Sequence, residues 1–117
     1  MSEPQPNPSV WRQAHGLSVQ IYRLAETVPL DLRRFIRERT IMIPANISRE
    51  GTFLPAPEQL HMLQEAFRQV HQLEYLLLLS QELGHIAESA QQSNTKGLVE
   101  LRKNIHQGII LLSQKRG

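Results

Sequence analysis

The chain contains no cysteine, which excludes disulfide stapling and thiolate catalysis and fits a reducing compartment, the cytoplasm. Aromatic residues are scarce, with three Phe, two Tyr and one Trp, and none of them forms a stacking platform beside the arginine-rich stretch discussed below. Base-specific recognition of a nucleic acid is therefore not expected. Glycine is equally sparse and never clusters, so there is no phosphate-cradling loop. No nucleophile elbow and no serine with a partnered base can be found. The apolar run Leu76 to Leu79 is far too short to span a bilayer, and the start "MSEPQPNPS" has neither the basic residues nor the apolar core of a signal peptide. The expectation is no membrane association. With 117 residues the chain can bury one core and hardly two.

What is abundant is Leu, Gln, Glu, Arg and Ala, a helix-forming mixture. Residues 1–9 hold three of the seven prolines and read as a flexible arm, leaving residues 10–117 as a single domain. The first helical segment spans about residues 10–28, with Val10, Ala14, Leu17, Ile21, Leu24 and Val28 three or four apart. Pro29 stops it. The second begins near Asp31 as N-cap, carries Leu32, Ile36, Thr40, Ile43 and Ile47 on one face, and ends at Gly51. The third starts at Pro57, with Leu60, Leu63, Phe67, Val70, Glu74 and Leu77 in register, and stops at Leu83-Gly84. The fourth follows the polar stretch "ESAQQSNTKG" and uses Leu98, Leu101, Ile105, Ile109 and Leu112. Short connections make consecutive helices antiparallel neighbours, so the predicted fold is all-α: an up-down-up-down antiparallel four-helix bundle.

Two helices carry apolar residues beyond their main stripe. Phe35 and Met42 fall a quarter turn or more away from the stripe of helix two, and the run containing Leu76 and Leu79 goes right round helix three. Either these helices are central and covered on a second side, or Phe35, Met42, Leu76 and Leu79 are contacts between subunits. Helix two also holds Pro44, which removes an N–H and displaces the carbonyl of residue 40. A bend near Pro44 is expected, the freed carbonyl being met by a side chain such as Thr40 or Asn46 or by water. The alternative is that Pro44 opens a second short helix.

The stretches "VWRQAHGLSVQIYRLAETVP", "IPANISREG" and "QLEYLLLLSQELGHI" resemble the four-helix-bundle proteins encoded by intervening sequences in bacterial large-subunit ribosomal RNA genes, a family that includes the accessory variability protein of diversity-generating retroelements. The resemblance is carried by Trp11 with Ala14-His15, by Ile21-Tyr22, by Val28-Pro29, by Leu73 to His85, and most specifically by Ile43, Pro44, Ala45, Asn46 and Ile47. It covers most of residues 10–115, with a different start to helix two, "DLRRFIRERT", and an added Ser48-Arg49. It implies a ring-like homopentamer without known catalytic activity. For the retroelement members it also implies a basic partner of nucleic acid and reverse transcriptase.

The charge pattern agrees with that implication. Residues 32–49 carry five Arg and one Glu, residues 94–117 five basic and one acidic residue, and residues 57–83 one Arg and four Glu. The overall charge of +2 therefore hides a polarised bundle. Arg33, Arg34, Arg37, Arg39 and Arg49 on helix two and Arg102 and Lys103 on helix four are the candidate contacts to RNA, DNA or a reverse transcriptase. Repetition in a ring would make weak contacts additive. The competing readings are a solvated surface and a structural homo-oligomer that docks an unknown protein.

No cofactor, metal or enzymatic activity is expected. Glu-x-x-His occurs at Glu58/His61 and Glu82/His85, but both pairs belong to helix three, 24 residues apart, or about 36 Å along its axis. They cannot converge on one metal within a chain. Glu74 sits within the apolar stripe, where an unpaired carboxylate is costly. It is expected either at the bundle edge with its head in water or paired with an Arg or Tyr of another helix or subunit.

Overall fold

A computed structural model describes residues 8–47 and 54–114. Four helices account for nearly all of them, and no strand occurs among the described residues: α1 (Pro8–Leu24), α2 (Leu30–Ala45), α3 (Ala56–Glu82) and α4 (Glu88–Gln114), with a 3-10 turn, Ala25–Thr27, closing α1. Each helix packs against its neighbours in chain order and α1 closes on α4, while the backbones of the diagonal pairs stay further apart. The Thr27 hydroxyl donates to the His85 carbonyl at 3.0 Å, which brings the α1–α2 and α3–α4 connections to one end of the bundle. The up-down-up-down prediction is correct. The molecule measures 48 × 27 × 20 Å. Its short dimensions are two helix diameters, and the long one exceeds the roughly 40 Å of a 27-residue helix. No helix among the described residues is long and apolar enough to cross a membrane.

The core is built largely from the predicted stripes, with Ala66 and Leu73 of α3 added to the stripe expected for that helix. Ala14, Ile21, Ile36, Leu73, Leu98 and Leu101 are essentially inaccessible, and Val70, Leu77 and Ile105 extend the column. Trp11, Leu17, Phe67 and Leu76 pack on its edge. α1 and α4 approach closely because Gly97 offers no side chain: a Cβ there would lie 2.6 Å from Leu17 Cδ2.

The "IPANI" stretch forms the C-terminal end of α2. Pro44 lies in the last turn, the helix closes at Ala45, and the chain turns at Asn46 and bends at Ile47. The expected change of direction at Pro44 is thus reached by ending the helix, not by continuing it to Gly51, which lies outside the described residues; nor does Pro44 open a helix. The carbonyl that Pro44 cannot bond, that of Thr40, accepts a hydrogen bond from the Ser18 hydroxyl at 2.9 Å. The rescue predicted from sequence exists, but its donor is on α1. The Thr40 hydroxyl instead donates back to the Ile36 carbonyl at 2.7 Å, and Asn46 Nδ2 donates to the Met42 carbonyl at 2.8 Å, satisfying a terminal carbonyl. Ile43 and Ile47, four residues apart, are both buried. The motif therefore ends a helix while anchoring both sides of the break in the core.

A double-mutant cycle tests this arrangement. In the native background, Ser18→Ala leaves the buried Thr40 carbonyl unpaired and is expected to cost about 1–2 kcal/mol by urea denaturation. In the Pro44→Ala background, residue 44 supplies an N–H for that carbonyl, and the same change is expected to cost well under half as much.

Three boundaries differ from the sequence reading. Pro8 and Ser9 belong to α1 and not to an arm, as proline is tolerated in a first turn; residues 1–7 lie outside the described residues. Asp31 is the second residue of α2 and not its N-cap, which is Pro29, and its carboxylate accepts from the Leu32 amide. The polar stretch "ESAQQSNTKG" is the first part of α4. Its Gln92–Glu88, Gln91–Thr95 and Asn94–Ala90 hydrogen bonds all span four residues and support the helix. The stop at Leu83-Gly84 is as predicted. Gly84 has φ +83°, His85 N–H bonds the Ser80 carbonyl and Gly84 N–H the Gln81 carbonyl, a pairing that requires a left-handed residue.

Candidate interaction surfaces

The predicted basic residues of α2 divide among three directions. Arg33 and Arg37 point at the end of α1. Arg33 Nε donates to the Val28 carbonyl at 3.0 Å and its Nη2 to the Glu26 carbonyl at 3.4 Å. Arg37 donates from Nε and Nη2 to the Tyr22 carbonyl at 3.2 and 2.9 Å, pairs with the Glu26 carboxylate at 3.0 Å and lies 4.1 Å above the Tyr22 ring. A helix end leaves carbonyls unpaired and carries partial negative charge, so guanidinium groups from the next helix close it. Arg34 is exposed and has no ion pair among the described residues. Arg49 lies outside the described residues.

Glu26 is fully exposed, yet its hydrogen bond to Arg37, then the charges of Arg33 and Arg37, hold its carboxyl below the ordinary glutamate range. A depressed carboxylate contributes stability above its unfolded-state pKa and loses that contribution as pH falls through the folded value. In Arg37→Gln the Glu26 side chain is expected to titrate at higher pH, closer to an ordinary glutamate, as read by carbon NMR of the carboxyl group.

Arg39 turns the other way, into the groove between α2 and α3. Its Nε donates to Gln72 Oε1 at 3.2 Å and its Nη1 to the Phe35 carbonyl at 3.3 Å, with Glu38 at 3.4 Å and the Phe35 ring centre 5.4 Å away. Around it is a shallow depression of 290 Å³ lined by Phe35, His71, Gln72, Tyr75 and Leu76. A second depression, sharing Arg39, is lined by Glu38, Ile41, Met42 and Gln69. Both are open surface hollows and not enclosed pockets of the kind that buries a small ligand. Phe35 is 52% exposed, Met42 42% and Tyr75 61%, while Leu76 and Leu79 are half-buried beside them. Three of the four predicted subunit contacts, Phe35, Met42 and Leu76, therefore line two adjoining hollows of one face, and Leu79 lies one turn further along α3. The reading of deeply covered central helices does not hold within a single chain.

On α4 the predicted pair separates. Arg102 turns inward to α3, with Nε 2.7 Å from Glu74 Oε2 and Nη2 3.4 Å from Oε1, a two-pronged ion pair whose members are mostly shielded from water. This partner explains how the apolar stripe accommodates Glu74, and the pairing with an arginine of another helix is the alternative realised. Lys103 remains exposed on the outer side. Among the described residues no three His, Asp or Glu side chains gather as a metal site would require.

Tyr75 and Ile41 (54% exposed) belong to the α2–α3 face and were not singled out by sequence. Their signal was present in that each falls off its helix's main apolar stripe. No protein-family model matches the chain, and no curated protein matches it.

Proposed function

We propose that the protein is a non-enzymatic, cytoplasmic, homo-oligomeric interaction protein, similar to the bundle proteins of ribosomal RNA intervening sequences and of diversity-generating retroelements. It assembles through the α2–α3 face and engages nucleic acid, or an enzyme acting on nucleic acid such as a reverse transcriptase, through basic surface left outside the assembly. The observation that carries the reading is the exposed apolar set Phe35, Met42 and Tyr75, adjoining Leu76, gathered round two neighbouring hollows on one side of the bundle. Such a set is costly on a solitary chain and is the usual composition of a contact between copies. The ring-like pentamer is what the family resemblance adds.

A second reading, a structural oligomer that docks a protein, is favoured by the internal use of Arg33, Arg37, Arg39 and Arg102. A gel shift with single-stranded RNA and duplex DNA at 50 to 200 mM salt separates the two. Binding that weakens steeply with salt supports contact with nucleic acid. Absence of any shift at the lowest salt rejects it and leaves the protein-docking oligomer.

A further inference from the structure

Nearly every acid among the described residues stands where its negative charge is compensated. Glu26 faces Arg37, Glu65 faces Arg68 and Glu74 faces Arg102. Asp31, Glu58 and Glu88 occupy the first turns of α2, α3 and α4, where the end of a helix favours an anion. Glu100 has Lys96 and Lys103 about one turn to either side. Glu82 is the exception. It is exposed, has no ion pair among the described residues, and is the last residue of α3, whose final turn holds no basic residue. A carboxylate there meets the negative end of the helix. Two exposed leucines border it. Leu78, one turn earlier and about 40° to one side, is 40% exposed, and Leu83, about 100° to the other side, is 57% exposed.

The hollow over Arg39 has the complementary composition. Phe35, Tyr75 and Leu76 wall it, and Arg39 and Gln72 line it between them. The Gln72 side-chain oxygen accepts from Arg39 Nε, so the Gln72 amide N–H groups and those of Arg39 Nη2 have no acceptor among the described residues. Glu38 lies 3.4 Å from Arg39 Nη1, but its side chain is 70% exposed, and a surface pair of this kind binds its cation weakly. Guanidinium and amide donors in an apolar hollow fit a carboxylate carried between aliphatic side chains. Gln72 and Glu82 are ten residues apart on one helix, about 15 Å along its axis, so a chain cannot fill its own hollow with its own Glu82. Building on the proposed assembly through the α2–α3 face, we infer that the end of α3 from a second copy, with Leu78, Glu82 and Leu83, seats in this hollow. Its Glu82 carboxylate accepts from Arg39 and Gln72, and its leucines pack on Phe35 and Tyr75. Every copy then receives at its hollow and inserts at its α3 end.

Sedimentation equilibrium of the native protein, Arg39→Glu, Glu82→Arg and an equal mixture of the two variants tests the contact. Arg34→Glu is the control, since it reverses an exposed α2 cation outside the hollow. Each of the first two changes is expected to weaken assembly at least about tenfold, the scale of one buried charge pair. The mixture is expected to recover to within about threefold of the native protein, because the reversed hollow of one variant meets the reversed helix end of the other. Arg34→Glu is expected to change assembly less than about threefold. Glu82→Arg alters an exposed helix end and should keep its circular dichroism. Should Arg39→Glu lose its own, Arg39→Gln replaces it, and adding Glu82→Arg to that background is expected to weaken assembly less than about threefold further. Native assembly that is indifferent to Arg39→Glu and Glu82→Arg, a mixture no better than either variant alone, or a loss caused by Arg34→Glu instead overturns this contact and leaves the proposed oligomer standing. A native protein that stays a single chain overturns both.

Discussion

Leu77→Ala is expected to destabilise the bundle by about 2–5 kcal/mol, whereas Leu78→Ala, one residue along the same helix, is expected to cost less than about 1 kcal/mol. Leu77 is 1% exposed, and Leu78 is 40% exposed. Removing three carbons at Leu77 forfeits their transfer from water and leaves a hole beside Leu73 and Val70 on the same face of α3, where close-packed neighbours relax only in part. At Leu78 the truncated atoms already met water. In urea denaturation followed by circular dichroism, the Leu77 variant should show a lower midpoint at an unchanged slope. On heating, its midpoint should fall by roughly 10 °C or more. Four consecutive leucines give no such contrast from composition; the phase of α3 supplies it.

Phe35→Asp is expected to lower the affinity of chain for chain by at least about 30-fold, or 2 kcal/mol. The ring is half exposed on a single chain, lies over the Arg39 guanidinium and fronts Tyr75 and Leu76. A central aromatic in an apolar hollow is the kind of residue that dominates a contact between proteins, and a carboxylate there would be desolvated on assembly. Because Phe35 adds little to the core of its own chain, helical content should be retained. Sedimentation velocity should then show the variant as smaller particles at concentrations where the native protein is assembled. A parallel loss of circular dichroism would mean that Phe35 supports the monomer instead.

The bundle was legible because its inward positions are mostly aliphatic and recur three and four apart, the one pattern a helix imposes on a buried face. It failed at the start of α4, where the half-buried inward positions are Gln91, Asn94 and Thr95 and periodicity of hydrophobicity vanishes although the helix does not. Glu74 was readable as a carboxylate in need of a partner. That the partner is Arg102 depends on how α3 and α4 align. The same holds for Ser18, 22 residues from the carbonyl it rescues. The basic surface was the least legible element. A long guanidinium side chain on a helix flank can reach solvent or a neighbouring helix end, and sequence spacing alone does not say which. Arg33 and Arg37 reached the end of α1, while Arg39, on the same helix, turned to the α2–α3 groove.

Sedimentation equilibrium of the native protein at micromolar concentrations addresses the assembly through α2–α3 most directly. The expected result is a particle of several 13.5 kDa chains, five if the family resemblance extends to the ring, which shifts towards the single chain in Phe35→Asp. A native protein that sediments as one chain across the range would contradict the account.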